Sequence, residues 1–199
     1  LWDAMARKEV YATTGTRLVV RVFGGFDFTA QDLERSDFAE QGYKRGVPMG
    51  GDLKSASAGK APAFLVHAMR DADGANLDRI QVVKGWLDAS GKTQEKVYDV
   101  VWSGDRKPGA NGKLPPVGNT VNVKEASYTN AIGAPYLTAY WKDPSFDPKL
   151  RAFYYVRVLE IPTPRWTTYD AKIFGVKLPT DVPASIQDRA YTSPIWYTP

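Results

Sequence analysis

The chain has 199 residues, 43% of them hydrophobic and 24% charged, which is enough apolar mass for one buried core and too much for a disordered chain. The formal charge is +4, with lysine and arginine scattered and not gathered, so the footprint of a nucleic-acid binder is missing; no apolar run reaches membrane-spanning length. With no cysteine and one histidine, disulfides and metal sites built on thiolates or several imidazoles are excluded.

Residues 2 to 9 lack glycine, proline and β-branched side chains, so a helix is their cheapest conformation, although one too short to persist without a docking surface. Thr16 to Phe23 reads as a strand, with Leu18, Val20 and Val22 on one face and Arg17 and Arg21 on the other. Val10 to Arg17 is therefore a junction between helix and strand. Residues 29 to 46 are polar and carry Asp32, Ser36 and Asp37 as possible caps, which predicts a loop holding a short helix. A glycine-bracketed turn follows at 46–52, then a loop of small residues at 54–61.

Ala63 to Met69 is apolar on both faces apart from His67, the pattern of a central buried strand. Arg79 to Leu87 and Glu95 to Trp102 are strands joined by the turn residues Asp88 to Gly91. Residues 103 to 119 form a long Gly/Pro loop. Thr120 to Ala126, Ala134 to Trp141 and Ala152 to Ile161 read as three further strands, the last stopped by Pro162 and Pro164. From Trp166 onward the aromatic residues stand among prolines, which predicts an irregular tail packed back over the body. Seven or eight strands at hairpin-like spacing, without a βαβ rhythm, predict a mainly β fold: an antiparallel β-sandwich with a short N-terminal helix and a long irregular aromatic C-terminal tail.

Few residues carry recognisable chemistry. His67 lies between Val66 and Ala68, where a structural role fits better than that of a ligand or base. Asp71, Asp73, Asn76 and Asp78 alternate as in a calcium loop but without EF-hand spacing, and turns select the same residues. The glycines at 104–113 do not make a phosphate loop, and no Gly-x-Ser-x-Gly elbow exists. Asp143 with Asp147, and Asp99 with Asp105, are carboxylate pairs whose separations sequence cannot set. Trp166 and Trp196 are candidate ligand-binding residues that could floor a groove, or else belong to core or lid packing.

Five segments add a different kind of information: Leu1 to Arg17, Gly46 to Asp52, Gly74 to Gly85, Val158 to Trp166 (Val-Leu-Glu-Ile-Pro-Thr-Pro-Arg-Trp) and Ala190 to Tyr197. In order, and across residues 1 to 199, they resemble the C-terminal part of the bacterial family known as domain of unknown function 3604. That family looks like a branch of the PHP-type metallohydrolases, related to carbaryl hydrolases. The resemblance implies that residues 1–15 close an upstream PHP-like catalytic domain and that residues 16–199 form a β-rich accessory domain. It implies a divalent metal for the parent protein, held on upstream His-x-His motifs. None of these motifs occurs here, so no metal ligand and no cofactor is carried over to this chain. Thr13, Thr14 and Arg17 become candidates for the neighbourhood of the upstream active site, or else hinge and sheet-end residues.

Two functions follow as expectations. The chain is the accessory or scaffold region of a PHP-like metal-dependent hydrolase, partnered by its own upstream catalytic segment and not catalytic alone. Alternatively, it is a free-standing module that binds a glycan or a protein through its aromatic tail and long loops. An enzyme working through carboxylates alone is a third, weaker option. A start at Leu1 and not at methionine fits processing, proteolysis or a fragment. Lack of cysteine suits bacterial cytoplasm and periplasm equally, and a homo-oligomer remains open.

Overall fold

The fold is organised around the strand Ala63–Met69, which is buried on both faces. In the computed structural model, which describes residues 1–54, 60–178 and 180–199, the elements run as follows. The first part contains α1 (Trp2–Ala6), β1 (Tyr11–Thr13), β2 (Val19–Gly25), a 3-10 helix (Ala30–Glu34), α2 (Phe38–Arg45), β3 (Val47–Pro48) and β4 (Asp52–Lys54). The middle holds β5 (Ala63–Met69), β6 (Leu77–Leu87), β7 (Thr93–Trp102), β8 (Tyr136–Lys142) and β9 (Ala152–Glu160). The chain closes with β10 (Thr163–Pro164), α3 (Trp166–Phe174), β11 (Ser185–Ile186), β12 (Arg189–Thr192) and β13 (Ile195–Thr198). Of the described residues 38% are in strands and 14% in helices, so the fold is mainly β.

Two sheets form the sandwich. The smaller has the order β3-β2-β5-β8. The larger is centred on β9, which pairs with β6 on one edge and with both β12 and β13 on the other. β12 and β13 are two halves of one line of chain, interrupted at Ser193-Pro194, where proline has no N–H to donate. The Thr192 hydroxyl repairs the ladder at this break by accepting the Val156 amide (3.0 Å). β1 flanks β12 antiparallel, and β4 flanks β13 parallel.

The two-sided burial of β5 follows from three layers. Phe64, Val66 and Ala68 meet Ile80, Val82, Val156 and Val158 of the large sheet in the main core. Ala63 and Leu65, on the other face, pack with Phe23, Phe28 and Phe38 beneath α2 and the 3-10 helix. Each such valine, leucine, isoleucine or phenylalanine contributes about 1.5–3 kcal/mol on leaving water. Gly42 lets α2 lie directly on Phe23, since a Cβ there would come within 2.4 Å of the ring.

A polar triad sits inside the main core. Lys84 Nζ lies 2.6 Å from Asp143 Oδ2, the Tyr154 hydroxyl donates to the same oxygen at 2.7 Å, and Lys84 also donates to the Ser145 carbonyl (2.9 Å). Burial, with Asp143 alongside, pushes the Tyr154 hydroxyl far above its ordinary range.

The expected sandwich is present, and the strand predicted at 63–69 has those bounds. Three local expectations need correction. Thr120 to Ala126 is a turn with a single bridge, Asn122 to Ser127, and not a strand. The Asn119 and Asn122 side chains accept the Val121 and Glu125 amides, offering the backbone an alternative to a ladder. The helix expected over 2–9 stops at Ala6, and Lys8 takes a positive φ of 61°. The tail is more regular than predicted, because α3, β12 and β13 lie within it. Its period-2 burial (Ala190, Thr192; Ile195, Tyr197) is broken in phase by the intervening Pro194. Of the small-residue loop expected at 54–61, residues 55–59 lie outside the described residues. No described helix is long and apolar enough to cross a membrane.

Candidate functional site

Of the residues singled out from the sequence, Thr13, Thr14 and Arg17 fall at one end of β9 and Trp196 at the other. At its C-terminal end the junction Thr13 to Arg17 is fastened to the body. β1 brings the chain in by pairing Tyr11 with Thr192 and Thr13 with Ala190. The side chains then take over from the ladder. The Thr13 hydroxyl donates to the Thr16 carbonyl (2.6 Å). Thr14 donates to Asp188 Oδ1 (2.6 Å) and accepts the Arg189 amide (3.0 Å). Thr16 donates to Glu160 Oε1 (2.7 Å) and accepts the Leu18 amide (3.0 Å). Arg17 pairs with Asp71 and Asp73, each at 3.3 Å, and its amide donates to Asp71 (2.9 Å). With the Arg17 and Leu18 amides held by side chains, the strand expected from Thr16 begins only at Val19.

Glu160 is the unusual group here, only 2% exposed. Burial raises its carboxyl to about 7, against the Thr16 hydrogen bond that favours the ion, and the negative charges of Asp188 and Asp71 push the same way as burial. Asp71 is lowered, first by the Arg17 backbone N–H.

At the other end of β9 the outer face of the large sheet carries a groove of about 570 Å³, lined in part by Phe153, Arg151 and Trp196. Trp196 is 45% exposed and its ring lies 5.2 Å from that of Phe153 at 51°.

The family model for a protein of unknown function, DUF3604, matches residues 1–199. The chain belongs to that family. No curated protein and no solved structure gives a significant match.

In this DUF3604 chain the structure brings Thr13, Thr14 and Arg17 together, around Asp188, Glu160 and Asp71. It does not bring together Trp166 and Trp196. Trp166 opens α3, is 66% exposed and lies past the Glu160 end of β9, whereas Trp196 lines the groove. The partners Glu160 and Asp188 had no signal in the sequence, because each lies more than a hundred residues from its threonine.

The described residues do not fit a divalent metal. Among the described residues no group of three or more His, Cys, Asp or Glu is placed to hold one. His67 stacks on Phe38 at 3.8 Å, with Nε2 facing the Leu33 carbonyl (3.1 Å) and Nδ1 facing the Tyr136 hydroxyl (2.8 Å). The oxygens of the Asp71 to Asp78 loop diverge. Asp71 and Asp73 go to Arg17, Asn76 donates to the Ile132 carbonyl, and Asp78 is clamped by Arg79, Arg106 and Gln187. Asp143 belongs to the buried triad, while Asp147 accepts the Lys149 amide in its own loop. Asp99 is held by Gln81 and Arg79, and Asp105 is exposed. Arg106, reaching Asp78 (2.6 Å) and the Pro115 carbonyl (2.9 Å), pins the 103–119 loop to the sheet.

Proposed function

We propose that this DUF3604 chain is the accessory, scaffolding region of a PHP-like metal-dependent hydrolase and is not catalytic by itself. Residues 1–15 would be the end of the upstream catalytic domain, and residues 16–199 the β-rich unit that supports it. The observation that carries this reading is the fastening of residues 13–17. A ladder strand, the hydroxyls of Thr14 and Thr16 and an arginine tie this short stretch to the body, and the Thr13 hydroxyl braces it internally. Such a joint holds whatever is attached to it in a fixed orientation, as a scaffold must at its boundary with a catalytic unit. The threonine hydroxyls all donate internally, and Arg17 is satisfied by two carboxylates, so these groups serve the joint. In this reading the divalent metal belongs to the upstream segment, and no step of its chemistry passes through the residues described here.

The test uses the product of the complete reading frame and the 199-residue chain, each assayed on aryl carbamate and phosphate esters with Mn²⁺ or Zn²⁺ and with chelator. Metal-dependent turnover by the longer product, and none by the shorter, is expected. Turnover by the 199-residue chain in chelator overturns the proposal, as does an upstream sequence that is only a signal peptide ending before Leu1.

A further inference from the structure

The strand register shows how the groove near Trp196 is built. Glu95 pairs with Gly85, Gly85 with Phe153, and Phe153 with Trp196, so these four residues form one row across β7, β6, β9 and β13. Cross-strand partners point to the same face, and this is the face turned away from the sandwich core, since Ala152, Tyr154 and Tyr197 point inward. Gly85 matters for its missing side chain. A Cβ there would stand 2.3 Å from Phe153 Cζ, so the Phe153 ring lies down over Gly85 and makes a flat apolar floor. Trp196, tilted at 51°, makes a wall.

The platform continues along the strands. Tyr155 is the next residue of β9 on this face, about 7 Å further on, and its ring faces that of Tyr191 at 6.4 Å. Beyond the tyrosines Arg157 donates to Gln81 (2.7 Å) and Gln81 to Asp99 (2.7 Å), a polar patch at the far end. At the near end the groove is rimmed by Glu95, Thr93 and Arg151. Glu95 and Arg151 take part in none of the ion pairs among the described residues. One carboxylate and one guanidinium leave the rim without net charge.

From this arrangement we infer that the outer face of the large sheet, from Trp196 to Arg157, is a binding site for a neutral oligosaccharide. A pyranose ring has an apolar C–H face and an edge of hydroxyls. The face suits flat rings such as Phe153 and Trp196, and the edge suits planar donors and acceptors such as Glu95 and Arg151. Aromatic pairs repeating along the strand suit a chain of sugar rings better than a single compact molecule. The balanced rim complements a neutral ligand and gives no advantage to a polyanion. A volume of about 570 Å³ falls within the range of small-ligand sites. This site is independent of the scaffold role proposed above, and binding, not hydrolysis, reads it out.

The experiment is affinity electrophoresis of the 199-residue chain through gels containing xylan, hydroxyethylcellulose, galactomannan, laminarin or soluble starch, with tryptophan fluorescence titration against any glycan that retards it. Retardation by at least one of the five is expected. Trp196→Ala weakens it about tenfold, the scale of one aromatic stacking contact. Trp196→Phe retains most of the affinity, and Trp166→Ala changes nothing. Mobility in a glycan-free gel and the melting curve report whether the variants stay folded. The inference is overturned if none of the five glycans retards the chain, or if Trp196→Ala binds as the parent does. It is also overturned if Trp196→Ala instead converts a self-associated chain to monomer, which would make the face a contact between copies.

Discussion

The two ends of β9 use the same kinds of residue to opposite effect. At Glu160 the polar groups turn inward on one another: each threonine has a carboxylate or a carbonyl, and the arginine has two aspartates. At Phe153 the rings and charges turn outward, with Trp196 nearly half exposed and Glu95 and Arg151 outside every ion pair among the described residues. About 24 Å separates them at the rise of a strand. A cluster rich in titratable groups is therefore not evidence of a site when every group is already engaged. A sheet end poorer in charge is the better candidate when its rings and charged groups face outward.

The largest expected effect removes the foundation under the open end. Asp143→Ala leaves Lys84 buried and unpaired beneath the strand that carries Gly85, and should cost about 3–5 kcal/mol in urea or guanidinium unfolding. A loss under 1 kcal/mol would mean that Lys84 escapes to water and that the triad is dispensable.

The next effect sharpens the closed end. Glu160 has a folded pKa near 7, above its unfolded value of 4.5, so the folded state holds a proton that the unfolded state has already lost between those values. Its contribution is fully present below about pH 4.5 and is lost as pH rises toward 7, on the order of 1–3 kcal/mol, after which it levels off. Comparing the unfolding free energy of the parent and Glu160→Gln from pH 4 to 8 isolates it: the parent should lose stability relative to the variant across this window. Parallel curves would show that Glu160 titrates normally.

The smallest effect concerns Arg17, whose side chain is largely exposed beside Asp71 and Asp73. Arg17→Ala should cost less than about 1 kcal/mol, and the difference should shrink in high salt. A larger loss, unaffected by salt, would place the strength of the joint in Arg17 and not in the β1 ladder and the threonines.

Where burial is decided locally, sequence reads well. β5 is apolar at both parities because it lies between two layers, and its bounds came directly from that. The 120–126 segment alternates like a strand, yet Val123 is exposed, and nearby asparagines capture the amides a ladder would need. The candidate residues show the same divide. Thr13, Thr14, Arg17 and Trp196 could be named from their own stretch of chain. What they do depends on Asp188, Glu160, Asp71 and Gly85, and it is topology that sets those beside them. Trp166 and Trp196 looked equivalent in an aromatic tail, and only the register of β13 against β9 separates them.

The pairing of β1 with β12 also bears on how the molecule is made. Residues 11–13 find their neighbours at 190–192, β4 finds its neighbour in β13, and β9 needs β12 and β13 along one whole edge. Contacts this distant along the chain make folding slow, because a long loop must close before any of them is gained. During synthesis the edge of β9 stays open until β12 and β13 have emerged and paired with it. The exposed edge of β9 is therefore where misassociation threatens for as long as β12 and β13 are not yet docked.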